Sequence, residues 1–134
     1  MLVAASVAML DAIGAEPARR IDIGKREYES NCASCHGLQG KGDGVVKPYL
    51  TKSPPALTTL ARRNGGVFPI GQVYETIDGR REVAGHGGRD MPVWGMDYSI
   101  QAAEYYADVP YEPEAYVRAR ILALIDYLYR LQDR

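Results

Sequence analysis

Apolar positions along the chain recur at helical spacing and nowhere alternate for long. From Pro113 onward, Val117, Ile121, Leu124, Leu128 and Leu131 trace one stripe, and Pro113 itself suits the first turn of a helix. Ile70, Val73, Tyr74 and Ile77 keep the i, i+3, i+4, i+7 spacing, with Gly79 as a stop signal. Nearer the start, Ile21, Gly24, Tyr28 and Cys32 recur near the same period behind Asp22, an N-cap residue type. That spacing predicts a helix of about three turns. Leu57, Leu60 and Ala61 predict a short helix between Ser53-Pro54-Pro55 and Asn64-Gly65-Gly66, and Ser99 to Ala107 predicts another. Gly37, Gly40, Gly42 and Gly44 interrupt regular structure between the first two elements. No alternating run is long enough to build a sheet, and no internal repeat is present. The expected fold class is all-α.

Length and charge narrow the picture further. The chain has 134 residues, enough for one domain, and its formal net charge of −1 excludes the strong electrostatic pull of a nucleic-acid binder. Leu2 to Leu10 form a small apolar run without Lys or Arg, too short for a membrane span, which needs roughly 20 apolar residues. Residues 1–15 read as an export signal ending at Ile13-Gly14-Ala15, with a start codon assigned too late explaining the missing basic end. A frayed apolar N-terminus or a short anchor is the other reading. Residues 16–134 are then a single domain, exported and expected in the periplasm. Removing residues 1–15 takes away only Asp11 among the charges, which leaves sixteen acidic and sixteen basic residues.

The chemistry begins at Cys32-Ala33-Ser34-Cys35-His36. Two thiols three positions apart at the end of a helix fall on one face, and the next residue sets an imidazole beside them. This is the c-type haem attachment pattern: each thiol can add to a porphyrin vinyl group while the histidine reaches the iron. A zinc site would need more ligands than the remaining His86 supplies, and a redox dithiol would want a βαβ setting. A pair so close in sequence also cannot staple a fold by closing a long loop.

A second axial ligand is expected downstream, and His86, Met91 and Met96 compete for the role. Met91 precedes Pro92, which pushes it towards extended backbone and so towards a loop that can aim a thioether at the iron. Met91 is the preferred residue. His36 and Met91 together would raise the reduction potential above that of two imidazoles, because the soft thioether favours the ferrous state.

Four features in this order resemble a class I c-type cytochrome of the small bacterial kind. They are Gly24-x-x-x-Tyr28-x-x-x-Cys32-Ala-Ser-Cys35-His36-Gly37, Gly40-Lys41-Gly42-Asp43-Gly44, Met91-Pro92-Val93-Trp94-Gly95, and Leu124-Ile125-Asp126-Tyr127-Leu128. The resemblance implies a cytochrome c fold in which N- and C-terminal helices cross around one covalently attached haem c. Gly24 would let those helices approach, with Tyr28 and Tyr127 packed at the crossing. A proline-containing loop would orient His36 through a carbonyl, with Pro48, Pro54 and Pro55 as candidates. Trp94 is either a core residue or an indole donor to a haem propionate, and Arg62, Arg63, Arg80, Arg81 and Arg89 are either propionate-partner candidates or solvated surface arginines. The glycines at 40–44 lack the ending of a phosphate loop and read as tight turns beside the haem. The chain departs from the shortest members between Gly95 and Glu112, where Tyr98, Tyr105, Tyr106 and Tyr111 appear. That insert is either extra packing on the haem side or a docking surface.

Iron held by two protein ligands has no open position, so single-electron transfer is the expected activity rather than substrate chemistry. The expected partners are redox proteins such as a dehydrogenase, a bc-type complex or a terminal oxidase, with the chain a monomeric carrier. A fixed haem subunit of a larger oxidase or dehydrogenase complex is one alternative, with association at a membrane surface or in a complex. A haem enzyme or gas sensor with a labile methionine is the other.

Overall fold

The computed structural model describes residues 21–80, 93–108 and 112–133. Among the described residues six α-helices follow one another: α1 (Ile23–Asn31), α2 (Ala33–His36), α3 (Leu60–Arg63), α4 (Ile70–Asp78), α5 (Trp94–Tyr105) and α6 (Pro113–Arg130). Two single 3₁₀ turns, Lys47–Tyr49 and Leu57–Thr59, sit in the connection before α3. There is no β-strand among the described residues, so the all-α expectation holds.

α1 starts where its sequence asks it to. The Asp22 carboxylate accepts from the Lys25 N–H at 2.9 Å and caps one of the amides that a helix start leaves unpaired. The same carboxylate pairs with Arg130 Nη1 at 2.7 Å, tying the beginning of α1 to the end of α6. Between those ends the two helices touch at Gly24, where an added Cβ would overlap the Ala123 carbonyl and lie 3.0 Å from Tyr127 Cβ. Tyr28 and Tyr127 pack beside that crossing with ring centroids 5.2 Å apart. Both expectations for the crossing are met.

α6 is the spine of the core. Val117, Ile121, Leu124 and Leu128 are buried, as the stripe predicts, and Ile125 and Tyr127 join them. Ile121 and Leu124 are essentially sealed from solvent, and each such side chain contributes roughly 2 kcal/mol of apolar transfer energy. α4 lays Ile77 against this core, with Val73 and Tyr74 half-buried beside it, and ends at Gly79 in the left-handed conformation at φ +88°. Ile70, which opens the predicted stripe, is exposed.

α5 differs from its expected extent. It begins at Trp94, five residues before Ser99, and runs for 12 residues. Val93 is extended ahead of it, and Asp97 in the first turn complements the positive helix end. Gly95 is what allows this early start, because a Cβ there would press on Asp78 of α4 at 2.7 Å. Tyr98 and Ala102 then face inward.

Candidate haem-binding site

The motif Cys32 to His36 sits where α1 passes into α2. The Cys32 N–H still donates to Tyr28 O at 2.9 Å, and the His36 N–H donates to Cys32 O at 2.9 Å. One near-continuous helical path therefore carries both side chains. Gly37 ends it at φ +80°, a left-handed value that spares only glycine the Cβ penalty. Its carbonyl accepts from the fully buried Tyr28 hydroxyl at 2.5 Å.

The glycine loop then folds back onto the motif. The N–H groups of Gly42, Gly44 and Val46 donate to the carbonyls of His36, Cys35 and Ser34 at 2.8, 3.1 and 3.1 Å. These bonds satisfy the carbonyls that the short α2 leaves open at its end. Side chains would spoil the fit: a Cβ on Gly44 would overlap Ser34 O, and one on Gly42 would overlap Pro54 O. The glycines at 40–44 are tight turns against the motif and the proline segment, not a phosphate cradle.

Of the three candidate prolines, Pro55 orients His36. Its carbonyl lies 3.2 Å from His36 Nδ1. A carbonyl can only accept, so Nδ1 carries a proton; in the neutral ring the lone pair is then on Nε2, the tautomer a metal-ligating imidazole needs. His36 and Cys32 are each only 7% exposed and line one cavity of about 350 Å³, the scale of a small-molecule or cofactor site. Leu57, Leu60, Val73, Ile77, Leu124 and Leu128 form its apolar walls. Arg63, Asn64, Gln72 and Thr76 supply its polar lining.

Burial pushes the Cys32 thiol up to about 12, with the charges of Glu27 and Cys35 adding to the effect. A redox dithiol is built the other way, with a depressed value. A buried thiol beside an imidazole held through Nδ1, both at an apolar cavity, instead suits a porphyrin: sulfur for the ring edge, nitrogen for the iron.

The remaining candidates fall into place unevenly. Cys35 is half-buried one turn from Cys32, and among the described residues neither it nor Trp94 lines the cavity. Trp94 is half-buried against the core at the start of α5. Met91 and His86 lie outside the described residues, as do Arg81 and Arg89. Met96 is on α5, 67% exposed, turned to solvent rather than to the core. Of the arginines, Arg63 lines the cavity while donating to Ala56 O at 2.8 Å, and Arg80 pairs with Asp78.

A buried polar cluster has no counterpart in the sequence reading. Glu27 on α1 accepts from Arg120 of α6 through Oε1, and from the Tyr98 hydroxyl and Asn31 Nδ2 through Oε2, both at 3.1 Å. Arg120 continues to the Tyr116 hydroxyl at 2.7 Å. Burial, then the Glu27 charge, hold the Tyr98 phenol far above its ordinary value. The tyrosine-rich insert is thus divided: Tyr98 is core, although it does not line the cavity. Tyr106 meets Tyr105 and Tyr116 edge to face, and Tyr105 is 78% exposed.

An all-helical domain with this motif, this histidine partner and this cavity is a c-type cytochrome domain, the electron-transfer class of haem protein. The chain belongs to the family described as cytochrome C oxidase, cbb3-type, subunit III, whose model matches residues 19–111. No curated protein and no solved structure matches it.

Proposed function

We propose that this chain passes single electrons through one haem c held covalently by Cys32 and Cys35 and ligated by His36 and Met91. The observation that carries the reading is the His36–Pro55 contact at the wall of an apolar cavity shared with Cys32. A haem bound there supplies a one-electron ferric/ferrous couple. His36 offers its Nε2 lone pair, and the Pro55 carbonyl holds the ring against rotation and strengthens it as a donor. Leu124, Leu128 and Ile77 keep water away, which limits reorganisation when charge changes. Met91 would occupy the remaining iron position, and Trp94 would donate its indole N–H to a propionate. Residues 1–15 act as an export signal, residues 16–134 as one domain, and the carrier works in the periplasm between a dehydrogenase or bc-type complex and a terminal acceptor.

An alkaline pyridine spectrum of the purified protein tests the attachment, and a ferric scan for the sulfur-to-iron charge-transfer band tests Met91. Two-thioether haem and a visible band are expected. A ferrous spectrum altered by carbon monoxide would instead mean an open iron position and overturn the carrier reading in favour of a sensor or enzyme.

The family's description favours a second reading, in which the chain is a fixed haem subunit of a terminal oxidase. No described helix is long and apolar enough to cross a membrane. Purification from native membranes separates the two: a carrier is released by salt, and a subunit stays with its oxidase through detergent extraction.

A further inference from the structure

The last residues of the chain hold the segment that presents the Pro55 carbonyl. Gln132 uses its whole amide there. Oε1 accepts from the Ala61 N–H at 3.0 Å, while Nε2 donates to Leu57 O and Leu128 O, each at 2.8 Å. Next to it, the Asp133 N–H donates to Thr58 O at 2.8 Å, and Thr58 Oγ1 donates to Asp133 Oδ2 at 3.2 Å. The segment needs this help. Neither the 3₁₀ turn at Leu57–Thr59 nor α3 has a side-chain cap of its own, so the Ala61 amide in the first turn of α3 would lack an acceptor. The glycine loop grips the same segment, with Leu57 N–H donating to Gly40 O at 2.6 Å. Leu131 packs 3.4 Å from the Cβ position of Gly40.

We propose that Gln132 is a positioning residue for the haem's histidine ligand: by capping the turn two residues after Pro55, it keeps the Pro55 carbonyl on His36 Nδ1 and thereby lowers the reduction potential. The inference rests on the reading of His36 as the iron ligand. Its sign follows from the chemistry. A firm Nδ1–H···O=C bond makes the imidazole a stronger donor, and a stronger donor favours the more positive ferric iron. A loosened carbonyl leaves a weaker donor and a higher potential.

The test uses the haem-loaded protein and its Gln132→Ala and Gln132→Glu variants. Redox titration gives the potential, and NMR of the ferric form gives solvent exchange of the His36 Nδ1 proton. Gln132→Ala should raise the potential and speed exchange about five- to tenfold, the factor one neutral hydrogen bond is worth. Gln132→Glu keeps the acceptor for Ala61 but loses both donations, and should shift both readouts less. A variant that is less stable yet unchanged in potential and exchange overturns the proposal, because a merely structural residue behaves that way. Should Gln132→Ala fail to fold, Thr58→Val removes only the neighbouring bond: a smaller upward shift supports the latch, and unchanged values overturn it. Wild-type protein with no iron-shifted His36 ring signals would overturn the ligand reading itself, and the latch with it.

Discussion

The two sides of the α1–α6 crossing are built from different forces. On the cavity side, the Cys32–His36 turn, the glycine loop and the proline segment are sewn together mainly by backbone hydrogen bonds between neutral groups. On the α5 side, Glu27, Tyr98, Arg120 and Tyr116 are joined through their side chains around one buried carboxylate. A backbone-sewn region resists side-chain substitution except at a ligand, a glycine or a side chain such as Gln132 that braces its backbone. A side-chain cluster fails when any single member is cut back, because the partners it leaves behind stay buried.

Substitutions can break that contrast, beginning with the most severe. His36→Ala should abolish the ligated spectrum altogether, read as loss of the sharp ferrous bands, while Ser34→Ala two residues away should change stability by less than about 0.5 kcal/mol. Gly44→Ala drives a methyl group into the Ser34 and Cys35 carbonyls and should cost about 3 kcal/mol, seen in the denaturant midpoint. Arg120→Ala strands the Glu27 carboxylate. A buried pair broken this way costs roughly 3–5 kcal/mol, but Arg120 keeps 31% of its side chain in solvent, so about 2 kcal/mol is expected. Tyr98→Phe removes only one donor to Glu27 and should cost about 1 kcal/mol, with the same ring packing retained.

The smallest effect belongs to the exposed clasp between the helix ends. Arg130, then the Lys25 amide, hold the Asp22 carboxyl below its ordinary value of 3.8. A depressed carboxylate contributes stability that is present above 3.8 and lost as the pH falls through its folded value. Acid titration should therefore show a small loss of stability below pH 3.8 that is absent in Asp22→Asn and reduced at high salt.

What was legible in the sequence was whatever repeats locally or stands close along the chain. The α6 stripe, the Asp22 cap, the Gly79 stop and the thiol–imidazole motif each lie within a few turns of helix, where period and residue type carry the signal. The Gly24 crossing came from resemblance, since nothing local says which helix meets it. The start of α5 was missed because Met91-Pro92 reads as a loop, and only the packing of Gly95 on Asp78 shows helix resuming at Trp94. Glu27 carries no local signal of its role, because its partners Tyr98 and Arg120 are 71 and 93 positions away. The choice of Pro55 over Pro48 and Pro54 is a matter of where a carbonyl points, which residue identity does not encode.

On the proposed attachment, the burial of Cys32 also implies an order of assembly. Its sulfur shares a cavity with Leu124 and Leu128, which emerge from the ribosome some ninety residues later. If Cys32 carries the haem as proposed, its burial would require the bond to form before the last helix docks, with the prosthetic group taken up by an open precursor and enclosed afterwards. Chains that close too early would be shut out of maturation, and rapid collapse would work against the yield of finished protein.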